Sequence, residues 1–287
     1  MNIPVGSEIP ERLIDIEALF ASKNPKLLKF IPRFVLSYLK RITHQEEING
    51  YIYRHRDKSG IPFVEAILKE FGVNVEIVDG KTINGSLIPA TGRYIIAANH
   101  PLGGLDGMAL MQALGRFRND LVFPVNDLLM YIPELQPLFI PINKHGRNTE
   151  NARRIDETFA SDKTILYFPA GLCSRKVKNT IIRDLEWKTT FIKKAIKYQR
   201  DIIPVYIGGR NSDWFYNLSN WRKRFGIKAN IEMLFLVDEM VKQLDKTITL
   251  VVGDPIHYAT FDKSKTQAEW AEWTKMQVYK LESKNHS

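Results

Sequence analysis

The segment IIAANHPLGGLDG, residues 95–107, joins a run of apolar, strand-forming residues to the start of a helical pattern. A proline and two glycines form the turn between them, and the carboxylate of Asp106 stands where the helix begins. A strand that enters a helix through a tight turn is the repeating unit of an α/β protein. We therefore predict that this turn lies at the carboxyl end of a strand in such a fold.

Short apolar runs alternate with helical patterns on both sides of this turn, which is typical of a largely parallel sheet with helices on its faces. Residues 11–72 are helical in pattern throughout. The predicted fold class is α/β, a mostly parallel mixed sheet flanked by helices, with an N-terminal helical segment. The predicted strands are 74–78, 94–98, 121–125, 164–168, 202–207, 230–236 and 247–252, and the predicted helices of the core are 105–117, 150–160, 184–198 and 265–281.

The change of pattern near Gly72 divides the chain into three parts. We predict an N-terminal helical, membrane-associating segment at 1–72, an α/β core at 73–260, and a C-terminal helix at 261–287 that packs on the core. No internal repeat and no Gly/Ser-rich linker separates them.

The composition limits the class of protein and its compartment. One cysteine, Cys173, excludes an intramolecular disulfide and a zinc site made of paired cysteines. No apolar run reaches the length of a membrane span, and the N-terminus lacks the pattern of a signal peptide, so we expect a cytoplasmic protein. The net charge of +9 favours an anionic partner, but no helix-turn-helix signature supports nucleic acid.

Residues 23–41 contain six basic residues and no acidic ones, interleaved with apolar residues. Four of the cations share a narrow arc of a helical wheel, namely Lys26, Lys29, Arg33 and Lys40. Such a helix can lie in the headgroup region of an anionic bilayer. A core helix with a solvated basic face, bent at Pro32, has the same pattern. The pattern does not choose between the two.

His100 and Asp106 could form a catalytic pair across the turn. A histidine takes a proton from a hydroxyl, and a carboxylate bonded to its other ring nitrogen fixes the tautomer and stabilises the imidazolium. Both residues could instead be structural, because a carboxylate also suits the first turn of a helix. The motifs of serine hydrolases, zinc proteases, P-loop enzymes and dinucleotide-binding proteins are absent.

The segment 99–107 resembles the first conserved block of the glycerolipid (lysophospholipid) acyltransferase superfamily, Asn-His followed after four residues by Asp. Five residues intervene here, and the double glycine could absorb the extra one as a bulge. The Pro-x-Gly-Gly form is similar to the hemolysin-like branch, which includes enzymes that acylate ornithine- and glycine-type lipids. Further blocks follow in the order of the family over roughly residues 75–257, namely PLFIPINK (137–144), FPAGLCSR (168–175), IIPVYI (202–207) and the turn GDPI (253–256).

The resemblance implies an O-acyltransferase that moves a fatty acyl group to the hydroxyl of a lysolipid, either a lyso-aminolipid or 1-acylglycerol-3-phosphate. His100 would be the general base and Asp106 its orienting partner. Acyl carrier protein (ACP) or coenzyme A (CoA) would bring the acyl group as a thioester substrate, so no metal and no tightly held cofactor is needed. The substrate-binding residues expected from it are Asn99, Gly103, Gly104, Lys144, Arg147, Pro169, Ala170, Gly171 and Arg175, and Lys188 is added because this cation flanks the third block in a strongly basic region.

Two positions of the third block depart from the pattern of the family. Ala170 replaces a glutamate that helps to hold the acceptor, and Leu172 replaces a threonine. The missing glutamate favours an acceptor whose headgroup is not glycerol phosphate. Cys173 occupies a variable position of the block, so we do not expect an acyl-cysteine intermediate.

The alternative function is that of a non-catalytic, membrane-binding protein of hemolysin-like character. It depends on the basic helix and leaves the ordered blocks unexplained. We expect a peripheral enzyme on the inner face of the cytoplasmic membrane. Its expected partners are a lysolipid acceptor, an acyl-ACP or acyl-CoA donor and an anionic membrane surface, without nucleic acid.

Overall fold

A seven-stranded mixed sheet is the centre of the computed structural model, which describes residues 14–23, 31–78, 88–125, 127–141, 148–178 and 180–286. Its strands are β1 (Asn74–Ile77), β2 (Tyr94–Ala98), β3 (Leu121–Val125), β4 (Phe139–Pro141), β5 (Thr164–Tyr167), β8 (Asp201–Ile207) and β9 (Thr247–Val252). Between β5 and β8 in the chain, β6 (Arg175–Lys178) and β7 (Ile181–Arg183) form a separate antiparallel pair.

The strand order across the sheet is β1-β9-β8-β2-β5-β3-β4. The five strands from β8 to β4 are parallel to one another, β9 runs antiparallel to β8, and β1 is parallel to β9. The predicted α/β class with a mostly parallel mixed sheet is therefore confirmed. The carboxyl ends of the five parallel strands share one edge of the sheet, and the turn after β2 lies at that edge.

Helices cover both faces of the sheet. They are α1 (Ile16–Lys23), α2 (Arg33–Ile42), α3 (Gln45–Arg54), α4 (Ile61–Glu70), α5 (Gly104–Gly115), α6 (Asn148–Ala160), α7 (Thr190–Tyr198), α8 (Asp213–Arg224), α9 (Leu236–Val241) and α10 (Gln267–Lys280). Short 3₁₀ helices lie at Asp127–Tyr131, Pro133–Leu138, Ile231–Phe235, Tyr258–Thr260 and Leu281–His286. Across the ranges that the structure describes, no helix combines the length and the apolar character needed to cross a bilayer.

The alternating side chains of β2 separate two hydrophobic clusters. Ile96 and Ala98 belong to the cluster that also holds residues of α3, α4 and α5. Ile95 and Ala97 belong to the cluster on the opposite face, with residues of α6, α7 and α10. The turn at residues 99–103 is thus held between two packed layers.

The helices α3 and α4 belong to the same packed core as the sheet, because Ile52, Phe63 and Leu68 lie in one cluster with Ile96 and Leu250. On the other face, Trp270 and Val278 bring α10 into the second cluster. The division of the chain at residues 72 and 260 into separate parts stays a prediction.

The predicted strand at 230–236 is wrong. A 3₁₀ helix, Ile231–Phe235, leads directly into α9. A short apolar run satisfies the pattern of a strand and of a buried helix alike. In the structure this segment is helical, and its Glu232 is buried and accepts hydrogen bonds from Arg175 and Arg222.

Two other boundaries differ from the prediction. The helix predicted at 184–198 begins only at Thr190, because residues 184–188 form an irregular segment that contacts the turn after β2. The predicted basic helix at 23–41 is described in part: α2 begins after Pro32, which stands at its N-cap, and residues 24–30 lie outside the described residues.

Candidate active site

The turn after β2 brings His100 and Asp106 into contact. The Nδ1 atom of His100 lies 2.8 Å from Oδ2 of Asp106. The same oxygen accepts the backbone N–H groups of Leu102, at 2.8 Å, and Gly103, at 3.0 Å. Gly103 has a φ of +87°, a conformation that favours glycine, and the turn needs it to bring the start of α5 back towards His100. The pair is therefore in contact although five residues intervene.

The environment of the pair is asymmetric. Asp106 is fully buried, and this burial raises the pKa of its carboxyl group, although the hydrogen bond from His100 acts in the opposite direction. The side chain of His100 is 17% exposed, and its ring stacks on Phe168 with centroids 4.2 Å apart. When the Nδ1–H of His100 donates a hydrogen bond to Asp106, Nε2 carries a free electron pair that can accept the proton of a substrate hydroxyl.

A second carboxylate, Asp184, fixes the backbone of the turn. Its Oδ1 accepts the His100 N–H at 3.1 Å and the Ser174 hydroxyl at 2.6 Å, and its Oδ2 accepts the Trp187 indole N–H at 2.8 Å. The Ser174 N–H in turn donates to the His100 carbonyl at 2.7 Å. We did not predict this role of Asp184 from the sequence. The signal for it is an acidic residue directly after the basic run 175–183, which the pattern alone does not place against His100.

Arg175 does not face the candidate site. Its Nη2 donates to Oε1 of Glu232 at 2.9 Å, its Nη1 donates to the Cys173 carbonyl at 2.6 Å, and its side chain is 2% exposed. Arg222 donates to the same Glu232 oxygen at 3.1 Å. The implied role of Arg175 as an anion-binding residue is therefore corrected here: its charge is satisfied inside the protein by Glu232.

Asn99 is also used internally. Its Nδ2 donates to the Ile207 carbonyl at 2.9 Å, and its Oδ1 accepts the Ile207 N–H at 2.7 Å. Both ends of the side-chain amide thus join the end of β2 to the end of β8. Pro169 and Ala170 are buried, and Ala170 packs in the second hydrophobic cluster.

Three implied substrate-binding residues lie beside open space. A Cβ atom built on Gly104 would meet nothing within 4 Å. Gly171 is exposed, with a φ of +66°, and a Cβ atom built on it would lie 3.1 Å from Nζ of the exposed Lys188. Because Gly103 already donates its N–H to Asp106, Gly104 remains the candidate for an oxyanion donor on this turn. Lys144 and Arg147 lie outside the described residues.

A family model described as Acyltransferase matches residues 18–286. The chain belongs to this acyltransferase family. The acyltransferase is 50% identical, over 271 residues, to a lyso-glycine lipid O-acyltransferase of Bacteroides thetaiotaomicron, an alignment that covers 94% of the chain and 97% of the relative. It is 48% identical over 271 residues to a lyso-glycine lipid O-acyltransferase of Phocaeicola vulgatus, with 94% and 95% covered.

Among solved structures, the acyltransferase matches the 1-acyl-sn-glycerophosphate (LPA) acyltransferase PlsC of Thermotoga maritima at a TM-score of 0.44 and 16% identity, over 87% of this chain and 92% of that one. The acyltransferase activity predicted from the sequence is confirmed by the family. The roles of the individual catalytic and binding residues stay predictions.

The thiol of the acyltransferase, Cys173, is fully buried. Burial, together with the nearby charge of Asp106, raises its pKa to about 12. A thiol with such a pKa is almost entirely protonated at neutral pH and is a poor nucleophile. This environment supports the prediction that no acyl-cysteine forms.

Proposed function

We propose that the acyltransferase moves a fatty acyl group from acyl-ACP or acyl-CoA to the hydroxyl group of a lysolipid, and that its acceptor is a lyso-glycine lipid. The names of the two bacterial relatives support the acceptor. The contact of 2.8 Å between His100 Nδ1 and Asp106 Oδ2 carries the mechanism, because it leaves Nε2 of a partly exposed imidazole available as a base.

In this mechanism the acceptor hydroxyl gives its proton to Nε2 of His100 while its oxygen attacks the carbonyl carbon of the acyl thioester. The negative charge then lies on the former carbonyl oxygen, where the Gly104 amide is the candidate donor. The C–S bond breaks, and the imidazolium returns the proton to the departing thiolate. Asp106 stabilises the imidazolium between these steps. The products are the acylated lipid and the free thiol of ACP or CoA.

The third block supports an acceptor with an amino-acid headgroup. Ala170 offers no carboxylate to the acceptor, and Arg175 is held by Glu232. The exposed cation beside this block is Lys188, next to Gly171. Glycine contributes a carboxylate where 1-acylglycerol-3-phosphate has a phosphate, and one ammonium group suits a singly charged headgroup. In this proposal the ammonium group of Lys188 binds the carboxylate of the glycine headgroup.

The acyltransferase works as a peripheral protein at the anionic inner face of the cytoplasmic membrane in this proposal. The net charge of +9 and the exposed cations of α2, Arg33 and Arg41, support it. A lysolipid with a long acyl chain resides mainly in the bilayer, so the enzyme must reach its acceptor there.

The test is an acyl-transfer assay with purified protein and mass-spectrometric detection of the product. Lyso-glycine lipid and 1-acylglycerol-3-phosphate are compared as acceptors, each with acyl-ACP and acyl-CoA. We expect product from lyso-glycine lipid and its loss in His100→Ala, whose circular dichroism spectrum should equal that of the wild type. Turnover retained by His100→Ala would refute the assignment of the base, and a preference for 1-acylglycerol-3-phosphate would refute the acceptor. A host lipid profile with each form provides an independent check.

A further inference from the structure

The helix α8 carries a row of large apolar side chains on its exposed side. Trp214, Leu218, Trp221 and Phe225 follow at intervals of four, three and four residues, so they lie on one side of the helix. Trp214 is 47% exposed, Trp221 62% and Phe225 77%. The buried side of the helix is a different one, with Phe215 and Ser219 among its residues. Exposure of such a row of aromatic rings to water is energetically unfavourable, so a contiguous patch of this kind indicates a surface that another apolar surface covers.

Cations accompany this row. No acidic residue occurs between Trp214 and Ile231, whereas the segment 222–228 contains four basic residues. Three of these are exposed, namely Lys223, Arg224 and Lys228. Aromatic rings beside lysine and arginine are typical of segments that lie at the interface of an anionic bilayer, with rings among the headgroups and cations at the phosphates.

The row continues onto α2. The ring of Trp214 lies 4.5 Å from that of Phe235, and Phe235 lies 6.4 Å from Tyr38. On α2, Tyr38 is 42% exposed and Phe34 is 74% exposed. We call the surface formed by Phe34, Tyr38, Trp214, Leu218, Trp221 and Phe225 the aromatic face. It joins two helices that are far apart in the chain.

The aromatic face lies on elements that contact the candidate catalytic turn. Asn211, directly before α8, donates from Nδ2 to the Pro101 carbonyl at 3.2 Å. Leu236, directly after the 3₁₀ helix that holds Phe235, comes within 3.2 Å of a Cβ atom built on Gly103. The end of the aromatic face at Trp214 is therefore attached to segments that contact the turn of His100.

We infer that the aromatic face docks the enzyme on the surface of an anionic lipid bilayer, with the rings of α8 as its main apolar contact. The exposed cations Lys223, Arg224 and Lys228 near the end of the row complement acidic headgroups, and aromatic rings accompanied by cations are typical of segments that lie in a headgroup layer. The proximity to His100 matters for catalysis only if the proposed lysolipid acceptor is correct. Binding itself is measured without acceptor, so the two proposals can fail separately.

The first experiment compares wild-type protein with the double variant Trp221→Ala/Phe225→Ala in co-sedimentation with vesicles of phosphatidylcholine and phosphatidylglycerol. Both residues are largely exposed, so their replacement should not disturb folding. The control is Met276→Ala on α10, which removes a side chain of similar exposure, 52%, from a helix that packs on the other face of the sheet. We expect the partition coefficient to fall on the order of tenfold for each ring removed and to be unchanged in the control.

The second experiment tests charge with Lys223→Glu/Arg224→Glu, on vesicles with and without phosphatidylglycerol. Each cation should contribute on the order of fivefold to binding of the anionic vesicles and little to binding of phosphatidylcholine alone. Unchanged vesicle binding in both double variants overturns the inference. If the double variants differ from the wild type in sedimentation velocity without vesicles, the aromatic face binds a second copy of the chain. If they lose binding of apo-ACP but keep vesicle binding, the face binds the carrier protein. Either result also overturns the inference.

Discussion

The buried group of Glu232, Arg175 and Arg222 leads to a sharp prediction about stability. Glu232 is fully buried, and the side chains of Arg175 and Arg222 are 2% and 8% exposed. In Glu232→Gln, two guanidinium groups would share this interior without their common counter-charge. Removal of one partner of a buried ion pair costs about 3–5 kcal/mol. We expect a loss of that size in the free energy of unfolding.

The same loss can be expressed as a change in melting temperature. The entropy of unfolding, about 2.1 cal/mol/K per residue, gives roughly 0.6 kcal/mol/K for a chain of this length. Glu232→Gln should therefore melt about 5–8 °C below the wild type. Differential scanning calorimetry and urea unfolding measure the two quantities.

The matched control is Glu272→Gln, because the carboxylate of Glu272 is 55% exposed and pairs with Lys275 at 3.5 Å. Its removal should change the free energy of unfolding by less than about 1 kcal/mol. The reasoning fails if Glu232→Gln is as stable as this control. If Glu232→Gln were stable and instead changed the KM for the acceptor, Arg175 would regain the anion-binding role that the sequence suggested.

Three further predictions concern the candidate site. Asp106→Asn should lower acyl transfer by about 10³- to 10⁴-fold, because the imidazolium loses its partner, while the protein still folds. Burial raises the pKa of Asp106 above 3.8, so the contribution of this group to stability is fully present below that pH and is lost as the pH rises through the folded pKa. The urea midpoint of the wild type should therefore fall relative to that of Asp106→Asn as the pH rises. Asp184→Asn should lower kcat with little change in KM, since Asp184 holds the backbone of His100 and not the substrate. Cys173→Ala should keep acyl transfer within about threefold, and the folded wild type should resist alkylation by iodoacetamide near neutral pH, because its thiol is buried and protonated.

Each of these outcomes has a clear opposite. Wild-type turnover in Asp106→Asn would remove the carboxylate from the mechanism, and parallel urea midpoints at all pH values would show that its burial has no such cost. An increase in KM alone for Asp184→Asn would place this residue at the acceptor. Inactivation by iodoacetamide with labelling of Cys173 would revive the covalent route.

Local patterns predicted six of the seven strands of the sheet, because a buried strand needs an uninterrupted apolar run and each run is flanked by a turn or a helix; the three-residue β4 was not among the predicted strands, and the run at 230–236 is not a strand. The run at 202–207 and the run at 247–252 were predicted on this basis, and both are strands. Their antiparallel pairing could not be predicted, since strand direction depends on the path of the chain between them. The irregular segment 184–188 was missed for a similar reason: Asp184 bonds to His100, which is 84 positions away.

The candidate site shows the same division between local and distant information. The turn with His100 and Asp106 is encoded within seven residues, so the sequence indicated the pair, but the five intervening residues left its contact open until the structure showed it. Whether a cation faces a ligand or the interior depends on its partner, and the partner of Arg175 is 57 positions away. Asn99 raised the same difficulty, because its amide is satisfied by a backbone group 108 positions away.

The hydrogen bonds between the segment 174–184 and His100 all reach the main chain of the histidine, whereas its ring is oriented by Asp106. The orientation of His100 therefore does not depend on a side chain from positions 170 and 172. Acceptor choice can therefore change through these two positions with the proton-transfer pair left intact, as long as the residue at position 170 still fits the hydrophobic cluster in which Ala170 packs.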